Sequence, residues 1–388
     1  MAFPASRASS GALNSQAAST IEAYTEKVHD IVRKEMLAIQ MADAFGFYKV
    51  KQTSHHRIDN VVESEDSQAT AFNGFDTLPN GAPKGSQGVY WDYKNYAAPV
   101  AWALTDSKDM SNPFTVVDQL EVRTYQAMVG CGKLIDRDMG GGNTSDAKKI
   151  NGLEQMIFPI AAVTPTTVLS APKWRFRQAT NTFGGVTRVA FTADGVAGPN
   201  WENVSTGMRA GTETELTTST YANNNRFGYQ TTSTVPGTIP TAAYQLFEHV
   251  YLMTTYGIER PNLILSTTLP YEDYSRMGVP LVRYSKTNAD VQSLNLGFGD
   301  VTYKGAEWGF SENFAASGLN GTPTAGQDMI YMLNTNTLEL EVTEGCDFVA
   351  TDWVPGQAQL ASTMYIYWRG QFVCVDPRKN AVLWAYGT

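Results

Sequence analysis

Cysteine is scarce in this chain. Cys131, Cys346 and Cys374 are an odd set with no CxxC pair. They suggest no disulfide framework, and a reducing compartment is the simpler expectation. Histidine is almost as rare, at four residues: His29, His55, His56 and His249. His55 and His56 are sequence neighbours, so on a strand they point to opposite faces. His29 and His249 have no ligand partner one helical turn on. No metal ligand set is legible, and no cofactor is expected. Charge is sparse too: 17% of residues are charged, against about 25% in ordinary soluble domains. So little charge beside 43% hydrophobic residues suggests extensive subunit contact, although a large, loop-rich extracellular β protein would give similar numbers. Cations are outnumbered, 29 to 38, for a net charge of −9. Direct wrapping of nucleic acid, which takes a basic patch, is disfavoured. Enclosing it at a distance is not. No run approaches the roughly 18 apolar residues of a membrane span. The opening "MAFPASRASSGALNSQ" has no apolar core, so no signal peptide is expected.

The chemical motifs fail in their contexts. In "LGFGDVTYKGAEWGF" the glycines Gly297, Gly299 and Gly305 are spaced GxGxxxxxG, not GxGxxG, and no helix pattern follows. Val301, Tyr303 and Trp308 fit two strands turning at Lys304–Gly305. "GCGKL" at 130–134 mimics a Walker A ending, but Leu134 stands where a hydroxyl should reach magnesium, and the segment reads as helix. "IDRDMGGGN" resembles a kinase catalytic loop without the other kinase signatures. Acidic clusters occur at Glu63, Glu65 and Asp66, and at Glu213 and Glu215. With 8 Trp, 19 Tyr and 17 Phe they leave open a secreted, aromatic-rich β protein that binds or hydrolyses glycans.

The periodicity outlines the elements. A helix is expected from Ser19, at capping-box spacing from Glu22, to Gly46, with Val28, Ile31, Val32, Met36 and Ile39 on one stripe. Residues from Tyr48 to Leu104 read as two extended arms around a Gly/Pro/Ser/Asn-rich tip. Such a hairpin is marginal alone in water. Pro99 places the second arm at an edge or bulge. A long helix follows, capped by Asn112 with Pro113 in its first turn and a stripe of Val117, Leu120, Met128, Cys131 and Ile135. Gly130 and Gly132 inside it suggest a bend or a close backbone contact, and Gly140 to Gly142 end it. "TAAYQLFEHVYLMTTYG" predicts a helix from Thr241 to a stop at Gly257, then a buried strand "PNLILST" and a helix with Pro270 in its first turn. The last hundred residues read as strands with turns at Asn334, Gly370 and Asn380.

Taken in order, these pieces resemble the major capsid proteins of tailed bacteriophages, with the Hong Kong 97-type fold. The phrases that carry the resemblance are "NGFDTL", "YWDYKNYAAPVAWAL", "DAKKINGLEQMI", "RPNLILSTTLPYEDYSR", "VTYKGAEW", "MIYMLNTNTLELEV" and "VPGQAQLASTMYIYWRGQFVCVDPRKNAVLW". The resemblance implies an α+β fold: an N-terminal arm and helix (1–47), an extended loop (48–104), a spine helix and start of a peripheral domain (105–155), an axial domain (156–290), and return strands (291–388). It implies a structural shell protein, not an enzyme, assembled in the host cytoplasm as hexamers and pentamers and enclosing DNA without sequence-specific contact. Portal, scaffolding and decoration proteins would be its further partners, and no membrane. The extended loop would lie across a neighbouring copy, with Arg57, Asp59, Tyr93, Tyr96 and Trp102 as subunit-interface candidates. The Thr-rich segment 212–240 looks like an elaboration.

Overall fold

In the computed structural model, the described residues are 36–51, 57–63, 71–74, 76, 86–103, 113–142, 146–157, 182–183, 186–187, 204–207, 247–248, 250–278, 301–315, 328–355 and 361–386. The expectations on Ser19, the four histidines, the caps Asn112 and Thr241, and segment 212–240 lie outside them.

Two six-stranded sheets carry the chain. The first is built from β1 (Tyr48–Lys51), β4 (Lys94–Ala103), β12 (Leu338–Thr343), β13 (Val349–Ala350), β14 (Val354–Pro355) and β15 (Ala361–Cys374). The second runs β7 (Val204–Gly207), β16 (Ala381–Tyr386), β11 (Asp328–Leu333), β8 (Leu263–Ser266), β10 (Ala306–Phe310), β9 (Thr302–Tyr303). A ribbon of β2 (Arg57–Glu63) and β3 (Ser86–Asp92) and a short pair of β5 (Thr182–Phe183) and β6 (Val186–Thr187) stand apart from both. Helices accompany them: α1 (Leu37–Ala44), α2 (Pro113–Gly140), α3 (Leu153–Met156) and α4 (Thr268–Gly278), with further helical residues at 247–248 and 250–253. The mixed α and β composition agrees with the sequence pattern.

The expected stripe on α2 is real where its side chains are described. Met128, Cys131, Ile135 and Met139 are all at or below 3% exposure and face the main core. Burial pushes the Cys131 thiol up to about 12, so it packs as a protonated apolar group. Gly130 gives no close contact: it is exposed, with open space where a Cβ would go. The close contacts come at the end of the helix. A Cβ on Gly140 would lie 1.9 Å from the Asn313 carbonyl oxygen, and one on Gly142 (φ +37°) would lie 2.4 Å from the Ile150 carbonyl oxygen. These glycines do more than end a helix. They let three backbone segments cross at van der Waals distance.

Two other boundaries differ from expectation. The first helix does not run unbroken to Gly46, because Met36 is extended (φ −105°, ψ 108°) and α1 begins only at Leu37. The break is held by Asp136 of α2, whose Oδ1 accepts the Ala38 N–H at 2.7 Å. Gly257 does not stop a helix either. Helical structure ends at Met253, where the Thr254 hydroxyl bonds the Tyr251 and Val250 carbonyls. Gly257 (φ +62°) instead turns a small bridge between Tyr256 and Glu259.

Strand switching joins the sheets. β11 belongs to the second sheet and β12 to the first, with the turn at Asn334 between them; β15 and β16 switch the other way through Pro377–Lys379. The two switches are tied together. Asn380 Oδ1 accepts the Asn334 N–H at 2.9 Å, and its Nδ2 donates to Thr337 Oγ1 at 2.9 Å and to the Asp376 carbonyl at 3.1 Å. The expected turn at Gly370 is absent. β15 runs straight through it, pairing with β4 up to Gly370 and with β12 from there on. A Cβ at Gly370 would meet the Trp368 ring at 2.6 Å and the Glu341 carbonyl at 2.7 Å. Glycine is there for the crossing, not for a bend. Trp368, 1% exposed, stacks edge-on to Tyr96 at 5.6 Å, an aromatic pair that adds about 1 kcal/mol beyond its buried area.

Candidate functional site

The segment from Tyr48 to Leu104 was expected as two arms facing each other. The structure divides it. β1 pairs in parallel with β12, from Tyr48↔Leu340 to Lys51↔Thr343. β4 pairs antiparallel with β15 along its length, from Lys94↔Gly370 to Ala103↔Ala361. Its edge toward β15 is therefore used inside the chain. The remaining edge has no partner among the described strands, which suits Pro99. Only β2 and β3 form a true two-armed ribbon, in register from Arg57↔Asp92 to Glu63↔Ser86.

Strand alternation gives this ribbon two unlike faces. On one, Val89 and Trp91 are 1% and 4% exposed and join the main core, with Ile58 packed beside them and the Trp91 ring 5.5 Å from Phe183. On the other, Arg57, Asp59, Val61, Tyr90 and Asp92 are exposed. Arg57 Nε lies 3.2 Å from Asp59 Oδ1, and its guanidinium sits 4.7 Å above the Tyr90 ring. The ion pair is worth little in water, but stacking holds the arginine in place. Tyr90 and Val61 were not picked out from sequence, although the strict alternation of "RIDNVVE" would have put Val61 beside Arg57 and Asp59.

The other candidates sit differently. Tyr93 is buried; its hydroxyl donates to Glu341 Oε2 at 3.2 Å, and Arg369 lies 5.5 Å from its ring. Tyr96 is 6% exposed; its hydroxyl donates to Asp138 Oδ2 at 2.9 Å and accepts the Ile150 N–H at 3.0 Å. Burial, with the nearby Asp138 carboxylate, raises its pKa. Both tyrosines spend their side chains within the chain. Trp102 is half-buried, with Arg123 4.9 Å from its ring while the Arg123 guanidinium donates to the Ala101 carbonyl at 3.0 Å. Arg57 and Asp59 are thus together on an open face, and Tyr93, Tyr96 and Trp102 are not part of it.

Beneath the ribbon's root, β1 and β12 carry a ladder of opposite charges. Lys49 Nζ is 2.5 Å from Glu339 Oε1, and Lys51 reaches both Glu339 Oε2, at 3.2 Å, and Glu341. Burial alone would lower the Lys51 pKa, but the two glutamates outweigh it and raise it. For Glu339 burial pulls upward, and hydrogen bonds from Lys49 and Lys51 win, so its carboxyl sits below the ordinary range. Lysines facing carboxylates along an edge strand blunt that edge against stray pairing.

Among the described residues, no group of three or more His, Cys, Asp or Glu side chains could hold a metal ion. "LGFGDVTYKGAEWGF" contains the expected hairpin: β9 and β10 pair Tyr303↔Ala306 across Lys304 (φ +49°) and Gly305 (φ +88°), the signature of a tight two-residue turn. "GCGKL" lies within α2. Of the aromatic residues, whose number left a sugar groove open, Phe247, Tyr303 and Trp308 are buried, with Phe247 edge-on to Tyr303 and stacked on Trp308. No helix among the described residues is long and apolar enough to cross a membrane.

No family model and no curated protein matches the chain. Solved structures do. The chain is similar to the capsid asymmetric unit of cyanophage A-1(L), at TM-score 0.49 and 13% identity, covering 87% of this chain and 90% of that one. It is similar also to the capsid of a native GTA particle, at TM-score 0.47 and 11% identity, covering 89% and 90%. A third is the capsid of Myoviridae phage XM1, at TM-score 0.46 and 10% identity, covering 89% and 92%.

Proposed function

We propose that this chain is the major capsid protein of a tailed bacteriophage, with a Hong Kong 97-type fold, and that it self-assembles into an icosahedral head enclosing the genome. The observation that carries this reading is the ribbon of β2 and β3. It has no third strand among the described residues, buries one face on its own core, and leaves the other open with stacked, polar and apolar groups. A two-stranded ribbon is marginal in water; a surface on another copy completes it. The ordered sequence phrases support the same reading.

In this reading the chain divides as an N-terminal arm (1–47), an extended loop (48–104), a spine helix opening a peripheral domain (105–155), an axial domain (156–290) and return strands (291–388). The role is structural rather than catalytic. Its partners are other copies in hexamers and pentamers, with portal, scaffolding and decoration proteins, and the genome is held without sequence readout. The work is many-body association, in which modest contacts per subunit add up on closure. Arg57 and Asp59, joined by Tyr90 and Val61, are the interface residues.

The test is expression of the chain, alone and with its neighbouring genes, followed by sedimentation and negative-stain microscopy. Shells, capsomers or tubes are expected. A compact monomer that persists at high concentration in both preparations would sink the reading.

A further inference from the structure

We propose that Asn73 is a site of slow self-modification, converting to aspartate and isoaspartate with water as its one co-reactant. The sequence has four Asn-Gly pairs, beginning at Asn73, Asn80, Asn151 and Asn320. Two of them, Asn73–Gly74 and Asn151–Gly152, lie among the described residues, and their surroundings are opposite. Asn73 and Gly74 are exposed, in the segment between β2 and β3. Asp76 pins the Asn73 backbone, whose N–H donates to Asp76 Oδ2 at 2.8 Å while its carbonyl accepts the Asp76 N–H at 2.7 Å. The Asn73 side chain folds forward, a local bond that asparagine favours in turns, and its Oδ1 accepts the Gly74 N–H at 2.9 Å. Cγ is one bond from that oxygen. The attacking nitrogen and the carbon it attacks are therefore already neighbours, so reaction needs a local rotation rather than an encounter. Glycine has no side chain to obstruct ring closure, and nothing stands within 4 Å of where a Cβ would be.

The step balances within the chain and one water. The Gly74 nitrogen gives its proton to solvent and bonds to Asn73 Cγ. The Cγ–Nδ2 bond breaks, and the departing amide nitrogen takes up a proton and leaves as ammonia. Water then opens the five-membered imide. Attack at Cγ restores the ordinary chain as aspartate; attack at the main-chain carbonyl routes the chain through Cγ as isoaspartate. Either product replaces a neutral amide with a carboxylate beside Asp76, a like charge, and so loosens the turn. Asn151 is held against the same chemistry. It is 4% exposed; its amide donates to the Phe372 carbonyl at 3.2 Å and its N–H to Gln371 Oε1 at 2.9 Å. Gly152 is wedged against the end of α2, where a Cβ would come within 2.6 Å of the Gly140 carbonyl oxygen. Closing an imide there means moving packed backbone, and water arrives only after local opening.

The test follows both asparagines in one sample. The full chain, as the dissociated subunit and in denaturant, is held in warm neutral buffer made with heavy-oxygen water. Peptide mapping with electron-transfer fragmentation then separates aspartate from isoaspartate at each position. In the folded subunit Asn73 should take up heavy oxygen and give both products about tenfold or more faster than Asn151. In denaturant the two rates should converge. Gly74→Ala, whose methyl has open space, should slow conversion at Asn73 about tenfold and leave Asn151 unchanged. An Asn73 that keeps its amide when folded but loses it in denaturant would mean that the turn protects it, and the proposal falls. Equal rates at Asn73 and Asn151 in the folded subunit would overturn it as well, since the geometry would then contribute nothing. Neither outcome involves particle formation, so the result stands apart from the shell reading.

Discussion

β4 and the ribbon of β2 and β3 come from one continuous stretch and share one local pattern, yet they have opposite fates. β4 finds β15 along its whole length and becomes sheet. Among the described residues, the ribbon's strands pair only with each other. Their sequences explain part of the difference. β4 alternates aromatic and branched residues with alanines, so Tyr96 and Val100 drive into the core while the small side chains lie outward. The ribbon places charge and aromatics on its outer face, where a bare sheet would gather solvent-exposed lysine. Local pattern makes a strand, but the supply of a neighbour decides whether it joins a larger sheet or stays a two-stranded ribbon.

The same glycine-to-alanine change should separate the two regions most sharply. Gly370→Ala puts a methyl into the Trp368 ring and the Glu341 carbonyl, and is expected to cost about 3 kcal/mol in denaturant unfolding of the dissociated subunit. Next in size is Tyr96→Phe, which strips one donor from Asp138 and one acceptor from Ile150. A loss of about 2 kcal/mol is expected, and a calorimetric Tm unchanged from wild type would refute the role given to that hydroxyl.

Asp136 gives a pH-dependent test of the core. Burial raises its pKa, only partly offset by the hydrogen bonds from Ala38, Asn313 and Ile39. The folded value lies above the unfolded one, so the fold favours the protonated acid. Its contribution is fully present below the ordinary carboxylate value, near pH 4, and is lost as pH rises through the folded value. Asp136→Asn should remove that slope from a series of unfolding curves. The smallest effect belongs to the ribbon. Gly88→Ala meets nothing within 4 Å and should leave subunit stability within about 0.5 kcal/mol of wild type; a larger loss would mean that the ribbon is packed more tightly than its open face indicates.

Periodicity was readable wherever neighbours in sequence are neighbours in space. The Met128, Cys131 and Ile135 stripe, the turn at Lys304–Gly305 and the turns at Asn334 and Asn380 all follow from local rules. What failed needed a distant partner. The break at Met36 depends on Asp136, roughly a hundred residues on. Gly370 resembles a turn until β4 and β12 are seen to share β15 end to end, and Gly140 resembles a plain terminator until Asn313 comes beside it. For the candidate site, the sequence named Arg57 and Asp59 but not the Tyr90 ring beneath the arginine, because cross-strand register is set by pairing and not by spacing. Tyr93 and Tyr96 carried the same aromatic signal as Tyr90 and turned inward.

The Asn334–Asn380 knot has a mechanical consequence. The passages from β11 to β12 and from β15 to β16 go through one hydrogen-bonded point, so tilting either sheet loads these two passages at once and neither can slacken for the other. A push on the first sheet, where the ribbon takes root, therefore reaches both of them together.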